Sequence, residues 1–203
     1  MLNDTSALSR RRFAAGLALG TIAFAMPMRV AALTVEQARG MIDKAVGEIN
    51  AVIGSGKAES AMIGDFEKIF VKYADVPAIA RSALGPAAKQ ASKAQMSAFT
   101  KAFQGYISRK YGRRFREFIG GSVEVTDAKP LKSYYEVISV AKLKGEAPFD
   151  LRWHVSDKSG SLKFFNIIIE GVNMLASERA EIGALLDKHK GDVDALSAAL
   201  KSL

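Results

Sequence analysis

Apolar residues recur every three to four positions in the stretch that follows residue 33, which is the period of an α-helix with one buried face. Thr34 and Gln37 stand at its start with the spacing of a capping box, in which the two side chains satisfy backbone amides of the first turn. The apolar positions behind them are Val35, Ala38, Ile42, Ala45, Val46, Ile49 and Val52. The pattern predicts a first helix that ends at the Gly-Ser-Gly of residues 54–56.

Three more helices are predicted before the pattern changes. The apolar stripe of the second helix comprises Met62, Phe66, Ile69, Phe70 and Tyr73. A short third helix covers residues 77–84. Ser92 and Gln95 repeat the capping-box spacing and begin the longest helix, which we expect to continue through Phe118 to the two glycines at 120–121.

The apolar period then shortens to two, which is typical of β-strands. Strands are predicted over residues 123–125, 134–144, 149–156 and 162–170. Turn-rich stretches separate the last three, which indicates an antiparallel sheet of about four strands. Helical spacing returns after Gly171. Because helices and strands are segregated along the chain, the fold class is α+β, with helices packed around the sheet and an apolar cavity expected between them.

The two hairpins predict which strand residues share a face, if each connection holds four residues. One face then carries Ile138, Val140, Leu151, Trp153, Val155, Leu162, Phe164 and Ile168. The opposite face carries Asp150, Arg152, His154, Phe165, Ile167 and Ile169. A change of one residue in either connection would reverse part of this assignment. The last strand is apolar on both faces, so it must be covered on both sides or form part of a cavity wall.

The first thirty-odd residues have the pattern of an export signal. The segment Ser9-Arg10-Arg11-Arg12-Phe13 resembles the twin-arginine motif, and no charged residue follows until after Met28. We predict a signal peptide over residues 1–32, cleaved after Ala25 or Ala32, followed by one domain over residues 33–203. The alternatives are an uncleaved membrane anchor and a buried helix, but the uncharged stretch is shorter than the ~20 residues that span a bilayer.

Composition excludes most catalytic classes. The 203 residues include two histidines and no cysteine, and they carry a formal net charge of +8. Disulfide scaffolds, thiolate metal sites and thiol nucleophiles are therefore excluded, and a multi-histidine metal centre is not expected. Asp150 and His154 lie roughly 13 Å apart along one strand, too far for a hydrogen bond. Basic and aromatic residues interleave over 109–116, which is typical of a solvated helix face. We predict no catalytic residue, no metal ligand and no nucleic-acid partner.

Several segments together carry a family resemblance. They are Phe70-Val71-Lys72-Tyr73-Ala74-Asp75, Ile79-Ala80-Arg81 with Leu84-Gly85, the helix with Ser92, Gln95, Phe99, Phe103 and Tyr111, Ile168-Ile169-Glu170-Gly171-Val172, and the helix from Val193 to Leu200. In this order they resemble the MlaC family of periplasmic phospholipid-binding proteins, also described as toluene-tolerance auxiliary proteins. The chain departs from the family at Leu162, Asn166 and Asn173, where Trp, Asp and Ser are usual.

The resemblance implies a periplasmic carrier and no enzyme. Such a carrier shuttles phospholipid between an outer-membrane lipoprotein complex and an inner-membrane ABC transporter complex with an MCE-type substrate-binding component, and so maintains the lipid asymmetry of the outer membrane. It implies a monomer with phospholipid as cargo and no cofactor. The alternatives are a binding protein for another envelope lipid such as a hopanoid, an exported lipid hydrolase, and a structural domain with a filled core.

The lipid tails are expected to lie between the helix that begins at Ser92 and the first of the two sheet faces. A carrier must replace the whole apolar environment of the tails, so it needs a deep pocket. The predicted lipid-binding residues are Tyr73, Phe99, Phe103, Tyr106, Ile138, Val140, Leu151, Trp153, Phe164, Ile168, Val172 and Met174.

Overall fold

Both predicted capping boxes are present and begin the two longest helices of a computed structural model that describes residues 33–203. The side chains of Thr34 and Gln37 cap α1, and those of Ser92 and Gln95 cap α4. The helices are α1 Val35–Ile53, α2 Glu59–Tyr73, α3 Val76–Leu84, α4 Lys93–Gly112, α5 Met174–Lys188 and α6 Val193–Ala199. Short 3₁₀ helices follow α3 and α4 at Gly85–Lys89 and Arg113–Arg116. The predicted signal peptide and its cleavage sites lie outside the described residues.

The strands form one antiparallel sheet in chain order. They are β1 Ser122–Pro130, β2 Tyr135–Lys142, β3 Phe149–Ser156, β4 Lys163–Ile169 and β5 Val172–Asn173. Helix α1 packs on β1 and α5 packs on β4, while the remaining helices pack on one another. The α+β fold predicted from the sequence is confirmed. Within residues 33–203, no helix combines the length and the apolar character that crossing a membrane requires.

The start of β1 is held by a side chain of α1. Asn50 Nδ2 donates to the Val123 carbonyl at 2.9 Å, and Asn50 Oδ1 accepts from the Val123 amide at 3.0 Å. These bonds satisfy backbone groups on the side of β1 that faces away from β2. Just before, Gly121 approaches the Lys142 carbonyl so closely that an added Cβ would lie 2.4 Å from its oxygen. Only glycine fits this approach.

The structure differs most from the prediction at the end of α4, at the end of β1 and by one additional strand. Helix α4 ends at Gly112 and does not reach Phe118, because Gly112 lies against Ile63 of α2 and the chain tightens into a 3₁₀ turn after it. Strand β1 extends to Pro130, since the polar residues after Val125 continue to pair with β2 on the exposed edge. Strand β5 was not predicted. It forms because Glu170 and Gly171 both adopt positive φ and make a two-residue hairpin turn.

The β2–β3 register contradicts part of the predicted facing. Ile138 pairs with Arg152, and Val140 pairs with Asp150, on the outer face of the sheet. The prediction that Ile138 and Val140 share a face with Trp153 is therefore wrong. The last pair before the connection is Ala141 with Phe149, so the connection holds seven residues, 142–148, instead of four. The register is therefore displaced by three positions, an odd number, and the facing of β2 is reversed. The inner face, which the helices cover, instead takes Val137, Ser139 and Ala141 from β2.

A bulge in the β3–β4 pairing changes the facing of the last strand. Val155 pairs with Phe164 and His154 with Asn166, so Phe165 is an extra residue between the two pairs. Because of this extra residue, the β4 side chains after Phe165 point to the opposite sides of the sheet from those that strict alternation predicts. Ile167 and Ile169 therefore lie on the inner face and Ile168 on the outer face, where it pairs with Arg152. Their predicted positions were the reverse and are wrong, whereas the outer positions of Asp150, Arg152 and His154 are confirmed.

Candidate functional site

An apolar cavity of about 400 Å³ lies between the helices and the inner face of the sheet. Helices α1, α2 and α3 contribute Ile49, Ile69 and Ile79 to its wall, and β3 contributes Leu151 and Trp153. All five are buried. The volume falls within the ~300–1,000 Å³ that is usual for ligand pockets. The space is therefore large enough to hold a ligand and too large to be a packing defect.

Aromatic rings form one continuous part of the wall. The rings of Phe70 and Phe164 have centroids 6.4 Å apart, and Phe164 meets Trp153 edge to face at 5.2 Å. The indole Nε1 of Trp153 donates to Ser139 Oγ at 2.9 Å, so its polar atom is satisfied inside the sheet. The remaining surface of the indole is apolar. This part of the wall offers no hydrogen bond to a ligand and suits hydrocarbon.

Charged residues mark the mouth of the cavity. Arg114 and Glu117 come from the segment after α4, Glu146 from the β2–β3 connection and Glu170 from the β4–β5 turn. All four line the cavity and are exposed to solvent. The cavity thus passes from a buried apolar interior to a polar rim, an arrangement that suits an amphipathic ligand with its polar end outward.

Glu178 of α5 brings a carboxylate into the wall. Its side chain is only 5% exposed, and its Oε1 accepts from Lys110 Nζ at 2.7 Å and from the Tyr111 hydroxyl. Its Oε2 is buried and has no hydrogen-bond partner among the residues that the structure describes. Lys110 also bridges to Glu181, whose Oε1 accepts from the Tyr106 hydroxyl. The ammonium of Lys110 is therefore ion-paired with two carboxylates, those of Glu178 and Glu181.

The protonation states of this cluster follow from burial and hydrogen bonding. Burial raises the pKa of Tyr111, and its bond to Glu178 raises it further, so the hydroxyl stays a donor. Burial lowers the pKa of Lys110, but its bonds to Glu178 and Glu181 outweigh this and leave the pKa above its ordinary value. Burial raises the pKa of Glu181, yet bonds from Lys110 and Tyr106 bring the pKa below its ordinary value. Lys110 and Glu181 are thus held charged.

Four of the predicted lipid contacts lie in this wall, namely Leu151, Trp153, Phe164 and Met174. The others lie elsewhere. Phe99 and Phe103 are fully buried among the helices. The hydroxyls of Tyr73 and Tyr106 bond Glu48 and Glu181 outside the cavity. Ile138, Val140 and Ile168 lie on the outer face of the sheet, and Val172 is 53% exposed.

The structure adds wall residues that were not predicted as lipid contacts. They are chiefly Phe66, Ile69, Phe70, Tyr111, Phe118, Ile167, Ile169 and Glu178. The apolar stripe of α2 was evident in the sequence, but nothing in a stripe distinguishes a face against a cavity from a face against a core. Glu178 carries no motif. Its place in the wall depends on how α4 and α5 pack.

The outer face of the sheet holds a small polar cluster around His154. The ring lies against Tyr134, with centroids 4.7 Å apart, and against Phe165. Its Nε2 is 3.6 Å from Glu136 Oε2, and its Nδ1 is 3.4 Å from Asn166 Nδ2. Asn166 Oδ1 in turn accepts from the Leu175 amide at the start of α5. Among residues 33–203, no group of three or more histidine and carboxylate side chains could hold a metal ion.

We expect His154 to make the fold less stable as the pH falls through 6.5. Burial lowers the pKa of His154 below its ordinary value of 6.5, although the nearby Glu136 opposes the shift. The unfolded chain therefore takes up the proton first, and the free energy of unfolding falls with a slope of at most about 1.4 kcal/mol per pH unit. Urea melts between pH 7.5 and 5 measure this slope. His154→Gln should flatten it, and an unchanged slope in that variant would contradict the assignment.

Two comparisons with known proteins bear on this site. The sequence profile of the family described as MlaC protein matches residues 43–202. Among solved structures, the chain resembles the phospholipid-binding protein from Ralstonia solanacearum, whose structure was determined in complex with a phospholipid. The two sequences are 20% identical, the match covers 81% of this chain and 95% of that chain, and the TM-score is 0.69. At this identity the likeness shows a shared fold.

Proposed function

We propose that this chain, which belongs to the MlaC family, is a lipid carrier that holds the acyl chains of a phospholipid in its cavity. The observation that carries the proposal is the cavity itself, which is apolar inside and opens at a charged rim. The solved relative of the same fold binds a phospholipid. The tails would lie against the aromatic wall, and the headgroup would stay near Arg114 and the glutamates of the rim.

The energetics of lipid transfer explain why a cavity is needed. Moving two acyl chains of about sixteen carbons into water costs roughly 25 kcal/mol, at about 0.8 kcal/mol per methylene. A free lipid therefore does not cross an aqueous compartment at a useful rate. A protein that covers the tails on all sides removes this cost and leaves only the polar headgroup to solvent.

The described residues do not support the hydrolase alternative. His154 lies on the outer face of the sheet and does not line the cavity, although its neighbours Phe165 and Asn166 do. Its ring nitrogens meet Glu136 and Asn166, with no hydroxyl nucleophile bonded to it among residues 33–203. His189 caps the end of α5 and is absent from the cavity wall. We therefore propose binding and transport without chemistry.

The route of the carrier is also part of the proposal. The family resemblance and the twin-arginine pattern of residues 1–32 support export to the periplasm as a cleaved protein. The partners implied are an outer-membrane lipoprotein complex and an inner-membrane ABC transporter complex with its MCE-type component. The carrier would act between them as a monomer and help to maintain outer-membrane lipid asymmetry.

Native mass spectrometry of protein purified gently from intact cells tests the central claim. We expect one lipid per protein, identified as phospholipid after organic extraction, and no turnover of ester substrates. The loaded protein should also move labelled phospholipid between donor and acceptor vesicles. A sterol-like polycyclic lipid in the extract would favour the hopanoid alternative. Protein that is always empty, or an esterase activity that follows it through purification, would overturn the proposal.

A further inference from the structure

Asn166 connects the outer face of the sheet to the wall of the cavity. Its Oδ1 accepts from the Leu175 amide at 3.1 Å, in the first turn of α5, and its Nδ2 lies 3.4 Å from His154 Nδ1 on β3. Asn166, Met174 and Leu175 all line the cavity. The first amides of a helix have no partner within the helix, so this bond holds the beginning of α5 against β4. A change at His154 therefore reaches the cavity wall through one side chain.

The Leu175 amide determines how the protons are arranged between these groups. A backbone N–H can only donate, so the oxygen of Asn166 faces it and the NH₂ group of Asn166 faces His154. His154 Nδ1 must then accept, and the neutral ring carries its proton on Nε2, which lies 3.6 Å from Glu136 Oε2. With a neutral ring, donors and acceptors therefore alternate from Glu136 to Leu175.

Protonation of His154 breaks this alternation. The imidazolium carries an N–H on both nitrogens, so Nδ1–H and the NH₂ group of Asn166 become two donors that face each other. If the amide rotated, its oxygen would face the ring, but its NH₂ group would then face the Leu175 amide and the conflict would move to α5. His154 and Asn166 are both buried. In either arrangement a donor loses its acceptor where water does not easily replace it.

The charged groups around the ring do not remove this conflict. The titratable and charged side chains that face the ring or its partners are Glu136, Lys129, Arg152, Asp150 and Tyr134. Glu136 faces Nε2 and not Nδ1, and it is already paired with Lys129 Nζ at 3.1 Å. Burial lowers the pKa of His154 below 6.5, although Glu136 opposes the shift. The ring is therefore neutral at pH 7.5 and takes up its proton in mild acid.

From this geometry we infer that His154 is an acid-sensitive switch for the release of the bound lipid. Its protonation weakens the bond between Asn166 and the Leu175 amide, and this loosens the part of the cavity wall that the first turn of α5 forms. The closed wall and the neutral ring stabilise each other, so the lipid is held at neutral pH and released faster in acid. The inference rests on the proposed lipid-carrier function and adds its regulation.

The rate of lipid transfer at two pH values tests the inference. Protein loaded with a fluorescently labelled phospholipid is mixed with excess phosphatidylcholine vesicles, whose net charge is the same at pH 7.5 and pH 5. We expect transfer to be about fivefold faster at pH 5, because an unpaired buried donor is worth at least this factor and a loss of affinity appears mainly in dissociation. Equal rates would overturn the inference and leave the carrier function intact, whereas protein that cannot be loaded would overturn the carrier function.

Three variants locate the origin of the acceleration. Asn166→Asp places a carboxylate between the two donors, where it accepts from the imidazolium and from the Leu175 amide together, so transfer should not accelerate at pH 5. His154→Gln removes the titrating group and should also lose the acceleration. The matched control is His189→Gln, which removes the other histidine at the end of α5, outside the cavity wall, and should keep it. Acceleration that survives in folded Asn166→Asp protein, or that is lost in His189→Gln, would overturn the inference.

An NMR titration of the wild-type protein does not depend on any variant. The chain has two histidines, so both rings can be followed, and His189 is the internal reference. By linkage, a fivefold loss of lipid affinity on protonation requires that the pKa of His154 be about 0.7 lower in loaded than in empty protein. The pKa of His189 should be the same in both. If the pKa of His154 is also the same in loaded and empty protein, the switch does not exist.

Discussion

Ile167→Asp should remove the lipid load from the protein, whereas Ile168→Asp at the next position should leave the load intact. Ile167 pairs with Trp153 and lies in the cavity wall, while Ile168 pairs with Arg152 on the outer face. Both isoleucines are half-buried, so the two variants form a matched pair. An aspartate at 167 can hydrate in an empty cavity but must become neutral or stay unpaired against acyl chains.

The size of the effect follows from the cost of neutralising the carboxyl group. With an ordinary Asp pKa near 3.9, protonation at pH 7.5 costs about 5 kcal/mol, so loading should fall by at least about 100-fold. Lowering the pH toward 4 should restore part of the load, and Ile167→Asn should show no such recovery. Native mass spectrometry measures the loaded fraction, and circular dichroism checks the fold. Normal loading of Ile167→Asp, or loss of lipid from Ile168→Asp alone, would place the lipid elsewhere.

Phe103→Ala should have the largest effect on stability. Phe103 is completely buried, with its ring centroid 5.8 Å from that of Phe99 and 6.4 Å from that of Tyr106, and it lies outside the cavity wall. Truncating a ring in a close-packed core costs about 3–5 kcal/mol, because the neighbours cannot fill the space. For a domain of this size the melting temperature should fall by about 10 °C.

The measurement uses delipidated protein, because bound lipid would add its own stabilisation. Phe66→Ala is the comparison, since Phe66 is half-buried and lines the cavity. It should lose less unfolding free energy than Phe103→Ala, because the space it leaves joins one that already exists. It should lose more of its lipid affinity. A larger loss of unfolding free energy in Phe66→Ala, together with a larger loss of lipid affinity in Phe103→Ala, would contradict the assignment of Phe103 to the core and of Phe66 to the cavity wall.

Local patterns were sufficient for the order and type of the elements. Capping boxes at Thr34 and Ser92 depend on residues three apart, and they begin α1 and α4 as predicted. The third helix, the hairpin strands and the return to helix were likewise set by short-range periodicity and turn residues. The error at the end of α4 arose because a contact with another element, Gly112 against Ile63, ends the helix. The short strand β5 was missed because it depends on positive φ at Glu170 and Gly171.

The side of the sheet on which each strand residue lies could not be predicted from the two-residue period of the strands alone. Alternation shows that neighbouring strand residues point to opposite sides, but the phase depends on how many residues each connection and bulge absorbs. The length of the β2–β3 connection reversed Ile138 and Val140, and the bulge at Phe165 reversed Ile167 and Ile168. Neither the connection nor the bulge has a periodic signal, so the correct face appears only when the strands are paired.

The α+β class, the element order and the family resemblance can all be predicted from the amino-acid sequence, because they depend on local periodicity and on the order of short motifs. The apolar residues that enclose a cavity can be distinguished from those that fill the core only after the helices and the sheet have packed together. Phe103 and Phe70 both lie on apolar stripes of helices, yet one is packed among helices and the other faces the cavity. An apolar stripe indicates only that one face of a helix is buried. Whether that face meets a close-packed neighbour or a cavity depends on the distance between the helix and the surface opposite it, and the packing of the whole domain sets this distance.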